Sequence, residues 1–157
     1  MQVQTLCTRS VPIAVPMRRR DDWTVARLID GYDIRGGLAT TDELVLMMRP
    51  HWRQPISMLA KWIIGRRVVS FSWREQLLLP LFQFTRPRMV PIEVVSDSVF
   101  ELAECLQDQA VATWFIDPNE ALGQERPIDR LPSDAVAVVE AARRTRRLVA
   151  DRRARVN

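Results

Sequence analysis

Apolar positions along the first third of the chain recur at helical spacing in three short stretches. Asp21-Asp22 precede Trp23, Ala26 and Leu28 or Ile29, which predicts a short helix stopped at Gly31. Thr40-Thr41-Asp42-Glu43 is a capping-box pattern, in which the Thr40 hydroxyl and the Glu43 carboxylate satisfy each other's backbone donors. It opens a helix over Leu44–Met48 that Pro50 closes. A further helix starts on Pro55, carries Ile56, Leu59, Ala60 and Ile63 on one face, and stops at Gly65. The pair joined by Pro50–Gln54 has the outline of a helix-turn-helix.

After position 66 the period changes from helix to strand. Val69, Phe71 and Trp73 alternate with Val68, Ser70 and Ser72, which predicts a strand over Arg67–Trp73. Arg74-Glu75-Gln76 turns the chain into a second strand, Leu77–Phe84, whose Pro80 predicts a sheet edge. The remainder reads helical. Val95, Val99, Leu102 and Leu106 form one stripe, with Glu101, Glu104 and Asp108 outside it. Asp108 is the expected N-cap of Gln109–Ile116, and Pro118 ends that segment. Pro127–Leu131 reads as a single turn. Ser133-Asp134 caps a last helix carrying Val136, Val139 and Leu148 or Val149. Residues 1–20, with Pro12, Pro16 and no helical period, are expected to be poorly ordered.

The expected fold is therefore mainly α. It divides into a helix-turn-helix-like part at 21–65, a two-stranded β-hairpin at 66–88 and a helical domain at 89–157 with a basic C-terminal tail. The stripe of Val95, Val99, Leu102 and Leu106, together with the hairpin face of Val69, Phe71 and Trp73, offers more apolar surface than one small core absorbs. That excess predicts a homodimer.

At 157 residues the chain needs no disulfide or metal staple, and its 27% charged residues are ordinary for a globular protein. Its longest uncharged run, Gln76–Thr85, is too short to span a bilayer, and Arg9 and Arg18–Arg20 interrupt the only stretch resembling a signal peptide. A cytoplasmic protein without a membrane partner is expected. Cys7 and Cys105 make no disulfide framework.

Candidate chemistry is sparse. The single histidine, His51, sits in Arg49-Pro50-His51-Trp52-Arg53 and reads as a turn residue. There is no C-x-x-C, no phosphate-binding glycine loop and no visible acid–base pair, so a non-enzyme is expected, with no metal or other cofactor.

Charge is informative because it falls in blocks. Residues 21–48 have six acids against two bases. Residues 49–88 hold eight bases against Glu75 alone, a net +7. Residues 89–142 hold eleven acids against two bases, a net −9, and residues 143–157 hold seven arginines against Asp151, a net +6. The pattern is that of a phosphate-facing middle, an acidic body and a basic tail.

Two stretches carry a resemblance. One is Leu78-Leu79-Pro80-Leu81-Phe82-Gln83-Phe84. The other runs from Trp114-Phe115-Ile116-Asp117-Pro118-Asn119 through Leu122-Gly123-Gln124-Glu125-Arg126-Pro127-Ile128-Asp129-Arg130-Leu131 to Val139 and Ala141-Ala142. Together they resemble the toxin-binding domain of Xre/MbcA/ParS-type antitoxins, over roughly residues 66–150. Physically, Pro118-Asn119 stops a helix, Gly123 bends the chain and Pro127 starts the next turn. Trp114, Asn119, Leu122, Pro127, Asp129 and Leu131 are thus a platform, most of them building the fold.

The resemblance implies a partner, a RES-domain toxin acting on NAD or by ADP-ribosyl chemistry, and no activity of the chain's own. It also implies a C-terminal segment laid over the toxin's active-site opening. Here that segment carries Arg143, Arg144, Arg146, Arg147, Arg152 and Arg153, whose guanidiniums suit a pyrophosphate-binding or acidic pocket. A solvated helix end is the alternative for these arginines. The family commonly places a helix-turn-helix before the Phe-Gln-Phe strand and binds its own promoter with it. The corresponding residues are Arg53, Gln54, Ser57 and Lys61, with Arg66 and Arg67 beyond them. Pro55 and Trp62-Ile63-Ile64 are unusual in a groove-facing helix. A stand-alone DNA-binding regulator that uses the platform for dimerisation is the competing expectation.

Overall fold

Short periodic segments cannot bury their apolar faces alone, and here they do so around a small sheet, as a computed structural model of the chain shows for residues 21–156. The expectation for residues 1–20 lies outside the described residues. The elements are α1 (Asp21–Asp33), β1 (Leu38–Thr40), α2 (Thr41–Met48), α3 (Pro55–Ile64), β2 (Phe71–Trp73), β3 (Gln76–Pro80), β4 (Phe84–Thr85), β5 (Val90–Pro91), α4 (Glu93–Ala103), α5 (Asp108–Ile116), α6 (Pro127–Arg130) and α7 (Ala135–Val156). The fold is mainly α.

Helix α1 does not stop at Gly31. That glycine sits where α1 meets α5, and a Cβ on it would come within 2.7 Å of Ile116 Cδ1, so it serves close packing rather than termination. The turn is made instead by Gly36 and Gly37, both at positive φ. The buried face of α1 is Val25, Leu28 and Tyr32, while Trp23, Ala26 and Ile29 are exposed. Tyr32 is sealed in and donates to the Ala112 carbonyl at 2.6 Å. Burial pushes its phenol far above the ordinary range, with the Asp117 charge adding to the shift.

The sheet holds a strand that periodicity does not reveal. β1 is three residues long and pairs with β3 in the register Leu38↔Pro80, Ala39↔Leu79 and Thr40↔Leu78. The order is β1-β3-β2, so β3 is central and Pro80 is not on an edge strand. It is tolerated because it is the last residue of β3. The ladder is carried past it by the Leu81 amide, which donates to the Gly37 carbonyl at 2.9 Å. The β2–β3 turn uses Arg74 and Glu75, both left-handed, as a two-residue hairpin turn requires.

Both predicted strands are shorter than their apolar runs, and one side chain explains this. Gln83 is buried, accepts from the Val69 amide at 2.6 Å, and donates to the Val69 and Pro80 carbonyls at 2.9 Å each. The side chain thereby takes the place of a strand neighbour for Val69. Residues Val68, Val69, Ser70 and Phe71 are all buried, so alternation fails there. Leu81–Gln83 becomes a 3-10 turn instead of strand.

Two apolar cores share the sheet. One gathers Val25, Leu28, Tyr32, Phe71 and Leu78 with α4, α5 and α7. The other gathers Ala39, Leu79, Phe84 and Met89 with α2 and α3. Successive residues Leu78 and Leu79 of β3 thus face different cores, as the strand period demands. In α3 the buried side chains are Leu59 and Trp62, with Met58 half-buried. Ile56 and Ala60 are exposed, because the helix turns its largest residue, Trp62, onto Trp52 and Phe84.

Val95, Val99 and Leu102 of α4 line the first core, together with Val69 and Phe71, and Trp73 and Leu106 pack against it. These side chains pack within one chain, so the apolar excess that predicted a homodimer is not present on this face. The N-cap of α5 is Gln107, one residue before the expected Asp108. Asp134 caps α7 as expected, accepting from the Ala137 amide at 3.1 Å. Its core-facing residues are Val138, Val139, Ala141 and Ala142, whereas Val136 is 72% exposed.

Candidate functional site

The residues of the Trp114–Leu131 motif converge on one joint between α5 and α7. Trp114 lies edge-on to Phe115, with ring centroids 5.1 Å apart, and its indole Nε1 donates to Thr145 Oγ1 at 3.1 Å. α5 ends at Ile116, just before Pro118-Asn119, and Asn119 opens the next turn: its side-chain oxygen accepts from the Ala121 amide at 2.9 Å and its own amide donates to the Glu125 carbonyl at 3.0 Å. Gly123 is left-handed at φ 66°, which glycine supplies without strain. Leu122, Pro127 and Ile128 are buried and Leu131 is half-buried.

Asp129 links the joint to α1's end. It accepts from Arg126 Nε at 2.6 Å and from Arg35 Nη2 at 3.2 Å. These bonds hold its carboxyl below the usual aspartate value of 3.8, the Arg126 bond most strongly. A group lowered in the folded state stabilises above its unfolded value and loses that contribution as pH falls through the lowered one. Asp129→Asn is therefore expected to lower stability modestly near neutrality, where the charged contacts are fully formed, and to flatten the acid limb, so that its difference from the native chain shrinks below about pH 4. An acid limb identical to the native one would contradict this.

Beside the joint an open groove of about 510 Å³ runs between α5 and α7. Its apolar lining includes Leu106, Ala110, Trp114 and Pro118, with Thr113 and Thr145 as polar neighbours. Leu148, three residues beyond Thr145 on α7, is half exposed.

The basic tail is helix to Val156, and the helix sorts its arginines into two faces. Arg143 Nε meets Glu101 Oε1 at 3.2 Å, and Arg146 Nη1 meets Glu101 Oε2 at 2.7 Å. The Arg146 contact is an ion pair off hydrogen-bond alignment. Glu101, expected outside the α4 stripe, is instead covered by α7 with its side chain 16% exposed. Arg153 donates to the Cys105 carbonyl at 3.1 Å. By contrast Arg144, Arg147, Arg152 and Arg155 are exposed and make no ion pair with the described residues. They repeat at helical spacing along the outer face.

The same sorting divides the other bases. Arg27 pairs with Asp117. Arg74 pairs with Asp22 and stacks over Trp73 at 4.4 Å. Arg66 donates to the Ala103 carbonyl at 2.7 Å and lies 3.8 Å from Glu104, so it holds the end of α4 rather than extending α3's polar face. Arg49, Arg53, Lys61, Arg67, Arg86 and Arg88 are exposed and have no acidic partner among the described residues.

Arg53, Gln54, Ser57 and Lys61 all face solvent at the start and along one side of α3. His51 is a turn residue, its amide donating to the Met48 carbonyl at 2.9 Å. Arg86 and Arg88 escape sequence reasoning. They sit in the β4–β5 turn, which is pinned to the α2–α3 loop by Trp52 Nε1 donating to the Arg88 carbonyl at 2.6 Å. The only signal of this proximity is that the +7 block spans both segments.

Among the described residues, no cluster of His, Cys, Asp or Glu is placed to hold a metal ion, and no helix is long and apolar enough to cross a membrane. The chain matches no protein-family model, no curated protein and no solved structure.

Proposed function

We propose that the chain is an antitoxin that neutralises a RES-domain toxin by direct binding and has no catalytic activity of its own. The observation that carries this reading is the joint of Trp114, Asn119, Leu122, Pro127, Asp129 and Leu131, set against a 22-residue helix whose outer face bears four unpaired arginines. A helix fixed at its base by Glu101 and cationic on its free side is suited to present guanidiniums to an anion-binding pocket. The groove beside Trp114 offers apolar area for docking next to that helix. In the acidic body, Glu101, Glu104, Asp117, Glu125, Asp129, Asp134 and Glu140 are already engaged by arginines of this chain. The toxin contact therefore rests on the groove and the outer arginines more than on net negative charge. The test is co-expression with the product of the adjacent reading frame: a stable complex with a RES-domain protein supports the reading, and a neighbour of another kind that forms no complex overturns it.

The unpaired cations around α3 and the β4–β5 turn favour a second role, repression of the chain's own operon or, as the competing reading, stand-alone regulation of transcription. The surface offers guanidiniums without competing carboxylates, next to Gln54 and Ser57, which hydrogen-bond to bases or phosphates equally well. Removing one cation from a DNA phosphate should reduce the slope of log affinity against log salt by about one unit. Replacing Arg53, Lys61 and Arg88 by alanine is expected to weaken promoter binding and flatten that slope. Arg66→Ala is expected to leave the slope unchanged, because Arg66 is spent on Ala103 and Glu104. No binding by the native protein at low salt would remove this role without touching the antitoxin role.

A further inference from the structure

We propose that the cavity between the Phe82 turn, the start of α4 and α6 binds a small carboxylate with a flat apolar body, held at its charged end by Arg35. The inference stands apart from the antitoxin and DNA readings. The cavity holds about 280 Å³. Drug-sized ligand pockets run from roughly 300 Å³ upward, and a cavity of about 150 Å³ takes a single benzene ring. A body of two fused rings fits between those limits. Val95 and Ile128, both buried, line the cavity with Phe82, Ile92 and Leu131, each only half-buried. The Phe82 ring is held in place, stacked on Tyr32 with centroids 5.4 Å apart and tilted against Phe115 at 5.2 Å. A wall fixed before the ligand arrives keeps the ordering cost of binding low, and an aromatic wall pairs well with a flat partner.

Charge identifies the head group. Among the described residues that line the cavity Arg35 is the only charged one, and no carboxylate joins it. Its guanidinium makes a single side-chain hydrogen bond among the described residues, from Nη2 to Asp129 Oδ1 at 3.2 Å, and its other N–H donors are open to a ligand. That bond is the longer of the two Asp129 receives, because Arg126 Nε holds the other oxygen at 2.6 Å. Arg35 can therefore turn onto a ligand carboxylate without leaving Asp129 unpaired. A second cation stands beside it: Arg86, exposed, places its Nη2 3.7 Å from where a Cβ on Gly36 would sit. An apolar site whose one charged group is a cation favours an apolar anion over a neutral molecule of the same shape.

The test is titration of the full chain with 2-naphthoate, read by calorimetry and by methyl NMR. Saturable one-to-one binding is expected. The ring current of the bound naphthalene should displace the methyl resonances of Ile92, Val95, Ile128 and Leu131. It should leave unmoved those of Leu46 and Ile56, which are exposed on the separate groove between α2 and α3. Naphthamide keeps the shape and loses the charge, so it should bind about tenfold more weakly, the least that a charge-assisted hydrogen bond contributes. Arg35→Met should bring naphthoate down to the affinity of naphthamide and leave naphthamide binding unchanged. The unchanged amide binding also demonstrates that the variant folds. No saturable binding of naphthoate, equal affinity for naphthoate and naphthamide, methyl shifts centred elsewhere, or an Arg35→Met variant that still prefers the anion would each overturn the proposal.

Discussion

Gln83→Met is expected to be the most destabilising single substitution of similar side-chain volume in the sheet region, at about 3–5 kcal/mol. The methionine occupies the same space but neither donates nor accepts as the amide does. Three buried backbone groups then lose their partner: the Val69 amide, the Val69 carbonyl and the Pro80 carbonyl. Each orphaned buried group costs roughly 1–3 kcal/mol. Val69 belongs to the first core, and Gln83 lies in the turn that carries β3 toward the second, so the damage reaches both. Urea unfolding measures it. A loss below about 1 kcal/mol would show that water or a shifted backbone satisfies these groups, and would remove Gln83 as the reason the strands are short.

The second large effect concerns neutralisation. Replacing Arg144, Arg147, Arg152 and Arg155 together by alanine should leave the chain folded, because alanine favours helix and none of the four is engaged with the body. Inhibition of the partner toxin is expected to fall by about two orders of magnitude or more, since truncating a charge that is paired and desolvated at an interface costs roughly 2–5 kcal/mol. Truncation after Ala142 would not make the same separation. It removes Arg143 and Arg146 as well, and with them the ion pairs that hold α7 to Glu101 of α4. The four substitutions separate inhibition from folding. Dichroism that keeps the native helix signal while inhibition is unchanged would show that docking alone blocks the toxin.

What the sequence made legible follows from range. The Thr40–Glu43 capping box, Pro55 at a helix start, the stop before Pro118-Asn119, the Gly123 bend and the Asp134 cap are local devices, and each forms where the residues place it. The misjudged features depend on partners far along the chain. Gly31 reads as a stop until Ile116 is known to lie against it. Pro80 reads as an edge residue until β1, too short to show a period, pairs beside it. The Val95–Leu102 stripe reads as surplus until α5 and α7 cover it. At the candidate site the motif residues and the basic tail were visible, but their division was not. Which arginines are free depends on Glu101, Glu104 and the Cys105 carbonyl, and net charge per block carries no such information.

The most direct measurement of the antitoxin reading is NAD consumption by the partner RES-domain protein, titrated with the native chain and with the four-alanine variant. Stoichiometric arrest by the native chain, and a variant that still co-purifies with the toxin but leaves consumption running, is the result expected. Undiminished consumption at saturating native chain would contradict the account.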